Sequence, residues 1–209
     1  MNIRMFGHRC LVEHYRPKTS KSAIIIPDAT EQKSTHRFGK VVAVGDGIFR
    51  DKPLQKPVVK MDDIVMFQIN QVMENTQKYV LDDRHFMNLN QGEVIGRLTG
   101  GDITIENFEM VGEFVLLKHF FRQPKGTKII LPEDAMRQSA SDFIYFKVML
   151  KGGSVDKPFE IGDEVVANYG RLTPIFFVKR DLDGTSENVE YCYTHQDWID
   201  GVISEEEAA

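Results

Sequence analysis

Only two cysteines, Cys10 and Cys192, occur among the 209 residues, and no Cys-x-x-Cys spacing is present. That excludes a disulfide framework and a cysteine-rich structural zinc site, and it points to a reducing compartment. No apolar run approaches the ~18–20 residues of a membrane-spanning helix, so a helical integral membrane protein is excluded. No long stretch carries a 3.6-residue apolar period, so helical fold classes have no support. The opening residues show no basic region followed by an apolar core and a cleavage site, and no Arg/Ser-rich leader. The expectation is a cytoplasmic protein without a secretory signal or transit peptide. The chain is 42% hydrophobic and 27% charged, an ordinary globular composition that excludes disorder of the whole chain.

Excess positive charge is missing as well. The net charge is −5, the wrong sign for a general nucleic-acid binder. The charge is unevenly shared. Residues 1–100 hold 15 Lys/Arg against 11 Asp/Glu, and residues 101–209 hold 11 against 20. Two units meeting by charge complementarity, or two independently solvated surfaces, account for this equally well.

What is present is an internal repeat spaced by about 105 residues. Gly7 and Gly112 each precede an apolar strand, Cys10-Leu11-Val12 and Val115-Leu116-Leu117. His14 matches His119, and Ile24-Ile25-Ile26-Pro27-Asp28 matches Ile129-Ile130-Leu131-Pro132-Glu133. Val44-Gly45-Asp46-Gly47 is aligned with Leu150-Lys151-Gly152-Gly153, and Asp62-Asp63-Ile64-Val65 with Gly162-Asp163-Glu164-Val165. Asn90-Gln91 and His195-Gln196 close the two copies. The pattern implies a tandem duplication, with units at 1–100 and 104–209 joined near Gly100-Gly101-Asp102, where adjacent glycines break regular structure. Within each unit, short Val/Ile/Phe-rich runs bounded by Gly, Pro and Asp predict strands at 40–44, 64–69, 143–150, 164–167 and 175–178. The expected class is all-β: two small antiparallel barrels or sandwiches.

One segment stands apart. Residues 16–37 are rich in Lys, Ser, Thr, Glu and Gln, yet hold three consecutive isoleucines, Ile24, Ile25 and Ile26. A polar composition favours a mobile loop, whereas Ile-Ile-Ile is also strand material. The recurrence of Ile129, Ile130 and Leu131 in an equally polar setting favours the loop in both units.

With these residues the first unit resembles the co-chaperonin family of GroES, also called chaperonin-10. The resemblance rests on Arg9-Cys10-Leu11-Val12, the Ile24–Asp28 loop core, Lys40–Gly47, Val59–Phe67 and Glu93-Val94-Ile95, which occur in the family's order over about 1–98. The second unit matches more weakly, through its loop, Ile161–Val166 and Asp197-Trp198-Ile199. Departures are Asp62-Asp63 for the family's Gly-Asp turn, His8 for an acidic residue, and Glu113-Phe114 at the equivalent of His8-Arg9. The resemblance implies a hairpin over 48–59 in unit one, and none over the shorter Ser154–Ile161 of unit two. It implies two GroES-like barrels, each with a long mobile loop, in a homo-oligomeric ring that is usually sevenfold. That ring caps a GroEL-type chaperonin and encloses substrate polypeptide. Ile24, Ile25 and Ile26, with Ile129, Ile130 and Leu131, become the chaperonin-binding residues. No cofactor is implied, because ATP is bound and hydrolysed by the partner. A two-unit form without a transit peptide suits a bacterium or a bacteriophage.

Enzymatic readings have little support. Gly45-Asp46-Gly47-Ile48-Phe49-Arg50 fails the dinucleotide fingerprint at its last glycine. The six histidines show no metal-ligand spacing, and Asp62-Asp63 and Asp82-Asp83 read as turn residues. The alternative is a non-catalytic β-barrel interaction module, such as a viral assembly or host-interaction factor, that caps no chaperonin.

Overall fold

Short runs rich in Val, Ile, Leu and Phe, bounded by turn formers, build most of the strands. The computed structural model describes residues 3–15, 36–49, 52–53, 58–68, 78–81, 83–100, 103–120, 143–180 and 186–203. They are all-β, with four short 3-10 turns. The chain divides into two compact units, 1–112 and 113–209.

The first unit holds β1 (Arg9–His14), β2 (His36–Val44), β3 (Ile48–Phe49), β4 (Lys52–Pro53), β5 (Ile64–Gln68), β6 (Lys78–Leu81), β7 (Arg84–Asn90), β8 (Val94–Leu98) and β9 (Phe108–Met110). Its main sheet is antiparallel in the order β6-β7-β1-β2-β5-β8-β9, and β3 pairs with β4 as a small hairpin. The second unit holds β10 (Phe114–His119), β11 (Phe143–Lys151), β12 (Glu164–Asn168), β13 (Thr173–Arg180), β14 (Ser186–His195) and β15 (Ile199–Val202). Its order is β13-β14-β10-β11-β12-β15. Residues 152–163, the counterpart of the β3–β4 region, hold turns and no strand.

Each sheet curls around one apolar core in the manner of a small barrel, and the two cores correspond position by position. In the first, Cys10, Val12, Val41, Val65 and Met87 are buried together. In the second, Val115, Leu117, Val148, Val165 and Cys192 take those places. The period-2 alternation of β1 puts Cys10 and Val12 in this core and Leu11 on the opposite face, with Ala43 and Phe86. One exchange breaks the correspondence and keeps the volume. The first unit has Gly39 on β2 and Phe67 on β5, and the second has Phe146 on β11 and Ala167 on β12. A Cβ at Gly39 would lie 3.1 Å from Phe67 Cε1, so the ring comes from one strand or from its neighbour. Close packing requires this compensation.

Two sequence alignments shift. Gly45 N–H donates to Arg9 O at 2.7 Å, and Gly152 N–H donates to Phe114 O at 2.9 Å. Gly45 therefore corresponds to Gly152, one residue away from the alignment read from the sequence. The sequence also placed the junction near Gly100–Asp102, whereas the compact units part after Gly112. The reason is that β9 pairs with β8 and completes the first sheet.

Candidate functional site: two hairpins and the roots of their loops

In each unit the first two strands form the hairpin that carries the long polar segment. β1 pairs with β2 from Cys10↔Val44 to His14↔Gly39, with a register shift between Leu11 and Val12. β10 pairs with β11 from Val115↔Lys151 to His119↔Phe146, with the shift between Leu116 and Leu117. The segments are tied at their roots by equivalent bonds. Tyr15 N–H donates to Phe38 O at 3.0 Å, and Phe120 N–H donates to Tyr145 O at 3.2 Å. In the second unit, ring contacts of Phe120 with Tyr145 and of His119 with Phe146 reinforce the root. The six expected docking residues, Ile24, Ile25, Ile26, Ile129, Ile130 and Leu131, lie outside the described residues.

At the first root the Arg84 guanidinium forks onto the Glu13 carboxylate, with Nε 2.7 Å from Oε1. The hydrogen bond from Arg84 holds the Glu13 carboxyl below the usual glutamate range. Lys40 Nζ sits 2.7 Å from Asp62 Oδ1, and that bond raises the ammonium above its ordinary value. Asp62 takes the left-handed backbone (φ 70°), and Gly162 stands at its equivalent with φ 100°. The turn thus demands a positive φ in both units, which aspartate tolerates better than most residues. The following aspartates close both turns identically. Asp63 Oδ2 accepts Lys60 N–H, and Asp163 Oδ2 accepts Glu160 N–H, each at 2.8 Å.

At the opposite end of each sheet, a buried glutamine clamps the segment that precedes this turn. Gln91 Oε1 accepts Val58 N–H at 2.9 Å, and its Nε2 donates to Arg9 O at 3.4 Å. Gln196 Oε1 accepts Asp156 N–H at 2.9 Å and Lys157 N–H at 3.3 Å. Both side chains are buried. Sequence reasoning used these glutamines as repeat landmarks and gave them no role. Their signal was a polar residue recurring at the 105-residue spacing beside apolar strands.

The candidates for chemistry are structural. Gly45 and Gly47 N–H groups are spent on Arg9 O and Gly7 O, and Gly7 N–H bonds Asp46 Oδ1. This turn therefore offers no free amide nest to a phosphate. Cys10 and Cys192 are buried and unpaired by disulfide. Burial pushes the Cys10 thiol up to about 12 and the Cys192 thiol up to about 11, which withholds the thiolate that nucleophilic chemistry needs. Among the described residues, no group of three His, Cys, Asp or Glu is placed to hold a metal ion. No helix of the described residues is long and apolar enough to cross a membrane.

A known family matches the unit just described. Residues 2–98 match the family described as the Chaperonin 10 Kd subunit, a span that ends with β8. The chain is also 41% identical over 70 residues to the Co-chaperonin GroES of Aquifex aeolicus (strain VF5). That likeness covers 32% of this chain and 56% of the relative, so it spans little more than half of the relative's length.

Proposed function

We infer that the chain is a tandemly duplicated co-chaperonin: a homo-oligomeric cap for a GroEL-type, ATP-driven chaperonin, enclosing substrate polypeptide for folding. The observation that carries this reading is the family match over 2–98, on a unit whose loop-bearing hairpin is repeated bond for bond in residues 113–203. Duplication accounts for the shared strand order, the shared register shifts and the twin glutamine clamps.

The mechanism follows from loop energetics. Ile24, Ile25 and Ile26, or Ile129, Ile130 and Leu131, enter an apolar groove on the chaperonin. Each buried side chain contributes about 1.5–3 kcal/mol. Ordering such a segment costs about 2–5 kcal/mol, and association costs more. A single loop therefore binds weakly, and several loops on one oligomer bind tightly through effective concentration. Weak single contacts let the cap leave when the chaperonin changes nucleotide state. ATP chemistry belongs to the partner, and this chain needs no cofactor. The site of action is the cytoplasm of a bacterium, or of the host if the chain is phage-encoded.

Co-sedimentation with a purified bacterial GroEL-type chaperonin, with ATP, with ADP and without nucleotide, tests the reading. Nucleotide-dependent co-migration is expected. Absence of binding in every state overturns it and leaves the interaction-module alternative.

A further inference from the structure

The two sheets place different charges around one equivalent lysine, Lys40 on β2 and Lys147 on β11. Each precedes a core valine, Val41 or Val148, whose carbonyl accepts the turn amide of Asp62 or Gly162. In the first unit Lys40 stands opposite Glu13, and the Asp62 carboxylate reaches its ammonium at 2.7 Å. In the second unit both acids are gone from those places. Lys118 replaces Glu13 and stands directly opposite Lys147, and Gly162 replaces Asp62. Both lysines are exposed, and like charges directly opposite in an antiparallel pair are destabilising. Lys118 Nζ lies 5.8 Å from the centre of the Tyr191 ring. Glu164, opposite Lys147 on β12, offsets one of the two positive charges and leaves the other.

The strand register supplies a carboxylate. In the first unit β5 pairs with β8 at Ile64↔Leu98, and two further residues bring Gly100 level with Asp62. In the second unit β12 pairs with β15 at Val165↔Val202, and Ile203 N–H donates to Glu164 O at 2.8 Å. Two further residues bring Glu205 level with Gly162. Asp62 and Gly100 thus become Gly162 and Glu205: the acid moves to the neighbouring chain segment, as the ring does between Phe67 and Phe146. The space agrees with the exchange. A Cβ on Gly100 would lie 2.8 Å from Asn107 Cγ, so the first unit has no room there for an acid, whereas a Cβ on Gly162 meets nothing within 4 Å. Neighbouring strands lie ~4.8 Å apart, so β11 is ~10 Å from β15 across β12. The Glu205 and Lys147 side chains close that gap from both sides, and Glu206 and Glu207 follow.

We propose that residues 205–207 form an acidic latch on the lysine pair of the second sheet. The Glu205 carboxylate takes on Lys147 the place that Asp62 takes on Lys40, and the glutamates after it face Lys118. Lys147 lies two residues beyond Tyr145, whose carbonyl accepts the Phe120 N–H. The latch therefore ties the end of β15 to the hairpin that carries residues 121–142. It does not depend on chaperonin binding.

Carbodiimide coupling, which joins a carboxylate to an amine in direct contact, tests the latch in the full chain. Isotopically light and heavy chains are mixed in denaturant and refolded together. The expected product joins Lys147 or Lys118 to residues 205–207 within chains of one isotope. No such product, or one that joins light chains to heavy, overturns the proposal. A double-mutant cycle of K147Q and E205Q reads the coupling through hydrogen exchange at the Ile203 amide. Each single variant should speed that exchange about two- to fivefold, the range of an exposed ion pair. K147Q/E205Q should be no faster than either single variant. Single variants that exchange at the wild-type rate, or effects that multiply in the double variant, overturn the pairing.

Discussion

His195 Nε2 lies 2.6 Å from Glu113 Oε2, and this pair is the second unit's version of the contact between His8 Nδ1 and Asn90 Oδ1 at 3.2 Å in the first. The histidine stands just before β1 in the first unit and at the end of β14 in the second, and the side-chain contact is present in both. In both units it sits where a backbone bond also joins the strands, from Gln196 N–H to Glu113 O and from Gln91 N–H to His8 O.

The double change E113H/H195N installs the first unit's pair in the second. The side chains of Glu113 and His195 are 45% and 31% exposed, and screened pairs of this kind contribute about 0–1 kcal/mol. The double variant should unfold within ~0.5 kcal/mol of wild type, with E113H alone the less stable. Urea denaturation followed at Trp198, the only tryptophan, reports on this unit. A loss above ~2 kcal/mol in the double variant would show that the two sites are not equivalent.

The glutamine clamps should matter more. Q91A leaves the Val58 N–H without its acceptor, and Q196A does the same to Asp156 and Lys157. These donors are only partly buried, so each loss costs toward the lower end of the about 1–3 kcal/mol of an unsatisfied buried donor. Thermal unfolding should fall by several degrees in each variant, and hydrogen exchange at the named amides should speed up. Unchanged exchange at Val58 in Q91A would remove the clamp from the account.

Gly162→Ala places a Cβ on a backbone with φ 100°, at a cost of about 1–2 kcal/mol. Gly153→Ala is the control, since its added Cβ meets nothing within 4 Å and its φ is not in the positive region. The first should lower the Trp198-monitored midpoint and the second should leave it in place. Equal effects would remove the backbone explanation.

The Glu13–Arg84 pair adds an acid-sensitive increment. The folded-state carboxyl lies below its ordinary value of 4.5. Its contribution is therefore present above that value and is lost as pH falls through the lower, folded one. As a solvent-facing pair it contributes under about 1 kcal/mol. E13Q should be slightly less stable than wild type at neutral pH, and the gap should close as pH falls below the lowered folded-state range of the Glu13 carboxyl. A gap that persists in acid would assign the effect to packing.

Loop docking predicts a division between the units. I25S weakens capping severely if unit one docks, because the loss recurs in every copy of the oligomer, and I130S does so if unit two docks. Nucleotide-dependent co-sedimentation reads both. Wild-type binding by each variant, and by the pair combined, would remove the tripeptides from the mechanism.

The all-β class, the repeat and the polar segments with their apolar triplets were legible in the chain itself. Alternation of period two, glycine and proline punctuation and a fixed recurrence are local or linear signals, and they survive without coordinates. The strands read at 40–44, 64–69, 143–150, 164–167 and 175–178 lie within or overlap β2, β5, β11, β12 and β13. What needed the tertiary structure was everything that depends on which distant atoms meet. Gly39 looks like a break in a strand until Phe67 is seen beside it, and Phe146 looks like one more apolar residue until Ala167 stands opposite. Gln91 and Gln196 are polar letters until the amides at 58 and 156 reach them. That β9 pairs along β8, while no strand among the described residues pairs beyond β15, is likewise visible only in the folded chain. Periodicity tells a residue which face it takes, and only the folded chain supplies the neighbour across that face.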